Sequence, residues 1–224
     1  RFAEQLADRT GIRYPAIDTS IYLTPPSPRE TEACLNRRGL TSDGYVLFLS
    51  RLAESKGVDD LITAYQASRL ARRIPLVICG TGPHENALRQ RAAGDQRIRF
   101  FNDVSDAEKR VLMAGCHTYC LPSKPRPEFT ATFGIAIAEA MLSAGPGVVV
   151  TTRTGGIPEA TGDHCLYHAA GDIDALTARL DDVDQMPDPA REALAARARA
   201  YAQQFDRRTI LSRLRTPVGK SAAA

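Results

Sequence analysis

The chain has 224 residues, of which 43% are hydrophobic and 25% charged, and 29 basic against 26 acidic side chains leave a formal net charge of +3. These values are those of an ordinary globular protein, and they exclude a collagen-like, fibrous or largely disordered chain. A nearly balanced charge does not favour nucleic-acid binding, and no apolar run reaches the ~18–20 residues needed to cross a bilayer.

Changes in composition along the chain predict four segments. Residues 1–29 read as the end of an N-terminal domain, finishing in a helix, and a proline-rich linker between domains. Residues 30–186 are expected to form the main domain, 187–215 C-terminal helices, and 216–224 a flexible tail. Because the first residue is Arg1 rather than Met, the chain is expected to be part of a longer protein.

Strands and helices alternate through the main domain. The first strand is a continuous apolar run over 45–50, which is typical of a strand covered on both faces. Further strands are predicted over 75–79, 98–101, 118–121 and 147–151, with 165–168 as a sixth candidate. This alternation predicts an α/β fold, a Rossmann-like, doubly wound parallel sheet with right-handed crossovers.

Three of the predicted helices bear on function. One covers about 58–72, and another covers 133–142, after a long loop that follows the fourth strand. The third covers 187–205 and carries a narrow apolar stripe formed by Leu194, Ala198, Tyr201 and Phe205. The stripe can pack on the helix's own domain, or the helix can cross towards the other half of a larger protein. The stripe is narrow for a helix that lies in a membrane interface, so attachment to a membrane is possible but not supported.

The five cysteines are scattered and odd in number. In a chain large enough to fold without disulfides, this pattern predicts free thiols and a reducing compartment, and so the cytoplasm. Cys116, His117 and Cys120 lie close together, but no second pair of ligands follows them. We therefore expect buried cysteines and no metal.

Two cations follow the first predicted strand. In doubly wound sheets, ligands bind at the carboxyl ends of the strands, where Arg51 and Lys56 flank the turn that opens the next helix at Gly57. Cations beside free helical N–H groups suit a diphosphate, at about 1.5–3 kcal/mol for each charge-assisted hydrogen bond. Two solvated loop cations are the alternative interpretation.

The second strand is followed by Gly80, Thr81 and Gly82, which resemble a phosphate-binding loop. The dinucleotide fingerprint is incomplete, because Glu85 stands where its third glycine belongs and the motif follows the wrong strand. A turn that needs a positive φ explains the glycines equally well. A nicotinamide-dependent oxidoreductase is accordingly disfavoured.

The helix after the fourth strand offers a third group of candidates. Its first residues, from Phe133 to Ile135, present free amides. Glu139 lies on the same helix, which is too apolar to have a solvated face. A carboxylate held there can accept two hydrogen bonds from a vicinal diol such as a ribose, and a surface glutamate is the alternative.

Six motifs occur in an order that resembles one known family. They are Arg51…Lys56-Gly57, Gly80-Thr81-Gly82-Pro83, Asn102-Asp103-Val104-Ser105-Asp106, Leu121-Pro122-Ser123, Phe133-Gly134…Glu139-Ala140-Met141 and Thr154-Gly155-Gly156-Ile157-Pro158-Glu159. Together they resemble the C-terminal, nucleotide-sugar-binding domain of glycosyltransferase family 4, whose members are retaining enzymes of the GT-B fold. The resemblance covers nearly the whole chain, and the ordered set is specific although each motif alone is not.

The resemblance implies transfer of a sugar, with retention, from a UDP- or GDP-linked donor to an acceptor, without a metal or other cofactor. Arg51 and Lys56 would then bind the diphosphate and stabilise the departing nucleotide, which is the catalytic role. Val104 would contact the base near Lys109, and Glu139 would hold the ribose. The other donor-binding residues implied are Gly82, Phe133, Gly134 and Ile135.

Two departures from the family pattern leave an alternative open. Ala131 stands eight positions before Glu139, where the family has a first glutamate that contacts the donor sugar. Glu128 is a candidate substitute if the proline-rich loop folds differently. The N-terminal acceptor-binding domain of such enzymes is also missing from this chain. The alternative function is therefore a non-catalytic nucleotide-sugar-binding module.

Overall fold

A parallel sheet with six strands forms the centre of the part of the chain that the structure describes. The computed structural model describes residues 14–127, 130–143 and 145–214, and it describes residues 213 and 214 by backbone alone. The strands are β1 (Val46–Leu49), β2 (Leu76–Cys79), β3 (Ile98–Phe101), β4 (Thr118–Leu121), β5 (Val148–Thr152) and β6 (Leu166–His168). The helix end expected within residues 1–10, the residue Glu128 and the tail 216–224 lie outside the described residues.

Helices cover both faces of this sheet. They are α1 (Ser20–Leu23), α2 (Pro28–Arg37), α3 (Val58–Ala67), α4 (Glu85–Arg91), α5 (Asp106–Gly115), α6 (Ile135–Leu142), α7 (Ile157–Thr161), α8 (Ile173–Gln185), α9 (Asp188–Ala202) and α10 (Arg207–Leu214). The predicted Rossmann-like fold and its sixth strand are confirmed.

The order of the strands identifies the switch point, which is where ligands bind in doubly wound sheets. The order is β3-β2-β1-β4-β5-β6, so the chain first moves outward from β1 and then returns to the other side of β1 with β4. The loops after β1 and β4 therefore leave the sheet in opposite directions, and a crevice opens between them. The strands β1, β2, β4 and β5 are buried along their whole length, as their continuous apolar runs predict.

Two predicted helices differ from the observed ones for local reasons. The helix expected over 58–72 ends at Ala67, because Ser68 leaves the helical conformation and its hydroxyl donates to the carbonyl of Tyr65 at 2.8 Å. The helix expected over 133–142 begins only at Ile135, because Gly134 takes a left-handed conformation with φ of 100°.

The C-terminal helix packs on its own domain, which decides between the two alternatives for its apolar stripe. The helix α9 lies against α6 and α7. Ala198 and Ala202 are buried in this interface, and so is Phe205 in the short 3-10 turn that follows. On the same helix, Arg199 donates to the carbonyl of Ser143 at 2.9 Å and ties α9 to the end of α6.

A buried ion pair fixes the other end of α9. The guanidinium of Arg191 is only 4% exposed, and it donates to both carboxylate oxygens of Asp43, at 2.5 and 2.6 Å. Asp43 lies just before β1 in a left-handed conformation with φ of 57°, which aspartate tolerates better than most residues. The pair therefore joins α9 to the amino end of the sheet.

Removal of this carboxylate should be strongly destabilising. Asp43→Ala leaves the buried Arg191 guanidinium with only one partner, the exposed carboxylate of Asp188 at 3.1 Å. We expect a loss of about 3 kcal/mol in the free energy of unfolding, measured in urea. Asp163→Ala is the matched control, because it breaks an ion pair with Arg153 whose side chains are 88% and 60% exposed. That control should change stability by less than about 1 kcal/mol. Equal losses for the two variants would contradict the structural role assigned to Asp43.

Candidate functional site

The carboxyl edge of the sheet contains three adjoining cavities. The first has a volume of about 610 Å³ and lies above β1 and β2. Four of the predicted donor-binding residues line it, namely Arg51, Gly82, Val104 and Lys109. The cavity therefore joins the loop after β1 to the loops after β2 and β3.

The second cavity continues from the first across the switch point of the sheet. Its volume is about 260 Å³, and Ser50 lines both cavities. The predicted residues along it are Lys56, Phe133, Gly134 and Ile135. It thus lies between the loop after β1 and the first residues of α6.

The third cavity has a volume of about 450 Å³ and contains Glu139. Lys109 lines both this cavity and the first one. The nine predicted donor-binding residues therefore all line these three cavities, which share Ser50 and Lys109 as lining residues and together are called the cleft. Tyr22, which the sequence analysis did not identify, lines the third cavity beside Glu139.

Gly57 determines how the loop after β1 enters α3. A 3-10 turn over Glu54–Lys56 ends at Gly57, whose φ of 68° lets the chain reverse into the helix. A Cβ atom on Gly57 would lie 2.0 Å from the carbonyl oxygen of Pro122. Glycine is therefore required both by the backbone conformation and by the close approach of the loop after β4.

Arg51 and Lys56 lie close enough to affect each other electrostatically. Partial burial lowers the pKa of the Lys56 ammonium group, and the positive charge of Arg51 lowers this pKa further. Arg51 itself is exposed. An anion bound between the two side chains would offset this repulsion, so the arrangement suits a phosphate or diphosphate better than a neutral ligand.

Ionic contacts from the loop after β4 hold the acidic side chains beside these cations. The ammonium of Lys124 lies 2.8 and 2.9 Å from the two carboxylate oxygens of Asp59 and 3.1 Å from Asp60. Arg126 forms an ion pair with Glu54. Lys124 and Arg126 were not predicted as site residues. Their alternation with prolines over 122–127 is the sequence signal that could have indicated them.

The glycines after β2 allow two loops to pack closely. A Cβ atom on Gly80, whose φ is 134°, would lie 2.0 Å from the carbonyl oxygen of Ser50, and one on Gly82 would lie 2.3 Å from that of Leu52. Of the two interpretations left open by the sequence, the structure supports the turn that needs a positive φ. This turn forms a wall of the first cavity.

The residues before α6 are positioned by packing on both sides. The ring of Phe133 is buried, with its centroid 5.7 Å from that of Tyr14 and 4.9 Å from that of Phe205. On the other side, the amide of Gly156 donates to the carbonyl of Ala131 at 2.8 Å. The side chain of Phe133 therefore belongs to the core, and only its backbone is available to a ligand.

Ala131 presents a methyl group where a carboxylate would be expected from the family pattern. It is 6% exposed and lines the second cavity together with Lys56. Glu128, its candidate substitute, lies outside the described residues. The wall of the second cavity at position 131 is therefore apolar.

Glu139 is half-buried, so it is not a solvated surface glutamate. Burial raises the pKa of its carboxyl group, while the hydroxyl of Tyr22 and the charge of Lys109 act in the opposite direction. A partly desolvated carboxylate forms strong hydrogen bonds with donors that reach it. The hydroxyls of a ribose are donors of this kind.

The five cysteines are all buried as free thiols, as the sequence predicts. Within the described ranges, no group of three histidine, cysteine or acidic side chains is arranged to hold a metal ion. No helix in the same ranges is long and apolar enough to span a bilayer.

The doubly wound sheet, with a cationic cleft at its switch point, defines the class of the protein, a Rossmann-like α/β domain. The family model described as "Glycosyl transferases group 1" matches residues 43–184. The chain belongs to this family, and its fold is that of the C-terminal domain of a GT-B glycosyltransferase.

Two curated relatives illustrate the similarity. The chain is 32% identical to O-antigen chain mannosyltransferase B of Escherichia coli over 187 aligned residues. The aligned region covers 81% of this chain and 47% of the relative. It is 30% identical over 204 residues to the GDP-mannose-dependent alpha-(1-6)-phosphatidylinositol monomannoside mannosyltransferase of Mycolicibacterium smegmatis, with 86% and 52% covered. The chain thus spans about half the length of these relatives.

Solved structures show the same fold. The Anabaena protein Alr3699/HepE, in complex with UDP and glucose, superposes with a TM-score of 0.77 at 24% identity, over 92% of this chain and 55% of that one. The C-terminal domain of the group 1 glycosyl transferase LpcC from Francisella tularensis gives a TM-score of 0.68 at 17% identity, over 84% and 97%. The predicted resemblance to the C-terminal half of a GT-B enzyme is confirmed.

Proposed function

We propose that this chain is the donor-binding part of a glycosyltransferase that takes a sugar from a nucleoside diphosphate-sugar. The observation that carries the proposal is the set of three cavities at the carboxyl edge of the sheet, whose shared lining residues bring together Arg51 and Lys56, the first residues of α6 and the half-buried carboxylate Glu139. Membership in a family of glycosyl transferases supports the same assignment.

The cleft has separate places for the parts of such a donor. The base and its ribose fit the larger first cavity, beside Gly82 and Val104, with the ribose hydroxyls directed towards Glu139. The diphosphate lies between Arg51, Lys56 and the amides at the start of α6, where the helix dipole also favours an anion. The sugar then extends into the second cavity, towards Ala131.

The cations would act on the bond that breaks. When the sugar leaves the β-phosphate, the departing nucleotide gains negative charge, and Arg51 and Lys56 stabilise that charge where it develops. Their roles as catalytic residues rest on this step. The same two side chains also contact the diphosphate of the intact donor. The reaction is accelerated only by the amount by which these contacts become stronger in the transition state, where the departing nucleotide carries more negative charge.

Several finer features belong to the same proposal. UDP or GDP as the carrier is supported by a relative named as GDP-mannose-dependent and by a solved neighbour that holds UDP. Retention of configuration and the absence of a metal requirement rest on the family resemblance. The acceptor would bind a domain outside this chain, and the buried free thiols support a cytoplasmic location.

One observation favours a second function. The methyl group of Ala131 leaves the sugar part of the cleft without the carboxylate of the family pattern. A module that binds a nucleotide-sugar without transferring it would have this appearance. The test compares release of nucleotide from a sugar donor by the full-length protein and by its Ala131→Glu variant. If the wild-type protein releases nucleotide and Ala131→Glu does not accelerate the release, the wild-type protein is a competent enzyme. If only Ala131→Glu releases nucleotide, the wild-type chain is a binding module.

The proposal is tested by calorimetric titration of the chain with GDP-mannose, UDP-glucose and ADP-glucose, with NADH as the comparison ligand. We expect one of the nucleotide-sugars to bind with a dissociation constant on the order of micromolar, as for a diphosphate held by a helix terminus and cations. NADH should bind at least about tenfold more weakly. Addition of EDTA should leave the affinity for the nucleotide-sugar unchanged. Preferential binding of NADH, or binding of none of these ligands, would overturn the proposal.

A further inference from the structure

Tyr22 connects the linker to the candidate ribose site. It lies in α1, within the segment 1–29 that the sequence identifies as a linker, and this helix packs against α6. Tyr22 is only 9% exposed, whereas its neighbours Ile21 and Leu23 are 42% and 37% exposed. The linker therefore buries one aromatic side chain and directs it towards the cleft.

The hydroxyl of Tyr22 interacts with the carboxylate of Glu139. The two side chains line the third cavity together, and the Tyr22 hydroxyl lies close enough to the Glu139 carboxylate to donate to it, so that each group shifts the pKa of the other. Burial and this neighbouring carboxylate raise the pKa of the Tyr22 hydroxyl, so it keeps its proton throughout the neutral range. It can therefore serve as a permanent donor to Glu139.

One donated hydrogen bond leaves the carboxylate able to accept more. An ionised carboxylate offers about four lone-pair positions, and a vicinal diol occupies two of them. A donor fixed on one side would orient the group so that its remaining positions face the cleft. The Tyr22 hydroxyl would also keep Glu139 ionised, because a hydrogen bond to the charged form lowers the pKa of a carboxyl group.

We propose that Tyr22 is a positioning residue for nucleotide binding, which orients Glu139 towards the ribose hydroxyls and so makes the linker part of the donor site. This inference rests on the proposed function. It places the control of ribose recognition outside the sheet domain, in the segment that leads into it. The backbone carbonyl of Ile21 accepts a hydrogen bond from Arg110 at 3.3 Å, which holds α1 on α5 in this arrangement.

The charged groups around the pair determine how its effect depends on pH. The groups that face Glu139 are Tyr22, Lys109 and Asp106, and those that face the Tyr22 hydroxyl are Glu139, Asp106 and Arg110. Lys109 and Asp106 form an ion pair at 2.8 Å. Because the Glu139 carboxyl has its pKa raised above the ordinary 4.5, contacts with a ribose should strengthen as the pH rises through that higher value. Loss of the Tyr22 hydroxyl should move this transition to still higher pH.

The experiment measures ribose discrimination by calorimetry over a series of pH values. GDP and 2′,3′-dideoxy-GDP are titrated into the wild-type chain and Tyr22→Phe, and UDP and its dideoxy form are used in the same way. We expect Tyr22→Phe to reduce the preference for the ribonucleotide by about 2- to 10-fold, as for one hydrogen bond, and to raise its pH midpoint. Affinity for the dideoxy nucleotide should stay the same.

Tyr65→Phe is the matched control, because it removes another buried tyrosine hydroxyl, which donates to the carbonyl of Ile74 at 2.8 Å beside the amino end of the sheet. It should lower stability without changing ribose discrimination. An unchanged preference and pH midpoint in Tyr22→Phe would overturn the inference alone. Binding of both GDP forms equally by the wild-type chain would overturn it together with the role of Glu139, and failure of every nucleotide to bind would overturn the proposed function itself.

Discussion

Lys56→Ala should weaken the binding of GDP or UDP by about 10- to 100-fold, since one charge-assisted contact to phosphate contributes about 1.5–3 kcal/mol. Arg51→Ala should have an effect of similar size. Binding of the corresponding nucleoside, which has no phosphate, should be unchanged in both variants. Isothermal calorimetry with the nucleoside and the diphosphate measures the two parts separately.

The double variant gives a sharper result than either single one. The charge of Arg51 lowers the pKa of Lys56, so the two cations lie close to each other. If they bind one anion together, as proposed, the effects of the two substitutions should not be additive. Arg72→Ala is the control, since Arg72 is an exposed arginine in the turn that precedes β2, at the opposite edge of the sheet. Equal loss of GDP affinity in Arg72→Ala and Lys56→Ala would mean that general charge, rather than this pair, binds the nucleotide.

Gly57→Ala should lower both the stability of the protein and its affinity for a nucleotide. The new methyl group would lie 2.0 Å from the carbonyl oxygen of Pro122, at a backbone φ of 68° that disfavours alanine. Left-handed strain and overpacking together predict a loss of about 3–5 kcal/mol in the free energy of unfolding. The loops that carry Lys56 and Pro122 must then separate, so GDP affinity should fall at least tenfold, in line with the loss of a charged contact.

Gly94→Ala separates the two causes of this loss. Gly94 has a φ of 85°, and a Cβ atom there would have no neighbour within 4 Å. It should therefore show only the conformational penalty of about 1–2 kcal/mol, with normal nucleotide binding. Urea unfolding and calorimetry on both variants make the comparison. A Gly57→Ala protein as stable as Gly94→Ala would contradict the close packing of the two loops.

Local sequence patterns predicted most of the fold. The continuous apolar runs at β1, β2, β4 and β5 identified buried parallel strands, because a strand covered on both faces has no polar side. Sequence patterns placed helix ends less well where one residue decides them. Ser68 ends α3 through a bond from its own hydroxyl, and Gly134 delays α6 through a positive φ. Both effects depend on a single backbone conformation that no periodicity shows.

The sequence indicates candidate site residues where one segment supplies several groups, and it does not indicate contacts between distant segments. Arg51 and Lys56 are candidates because they follow the carboxyl end of a strand, and Glu139 is one because its helix is too apolar to have a solvated face. Tyr22 lies 117 positions before Glu139 in the sequence, in a stretch that reads as a linker, and only the packing of α1 on α6 brings it to the cleft. Lys124 and Arg126 were missed for the same reason, since their acidic partners come from the first turn of α3 and from the loop after β1, respectively.

The central claim is that the carboxyl edge of the sheet binds a nucleoside diphosphate. The most direct test is the titration of the ¹⁵N-labelled chain with GDP and with UDP, followed by the backbone amide signals. The largest shifts are predicted at residues 56, 80–82, 104 and 134–136, which line the cleft. Shifts confined to the separate cavity of about 630 Å³ beside Pro25, Pro26 and Cys34, with the cleft unchanged, would contradict the account.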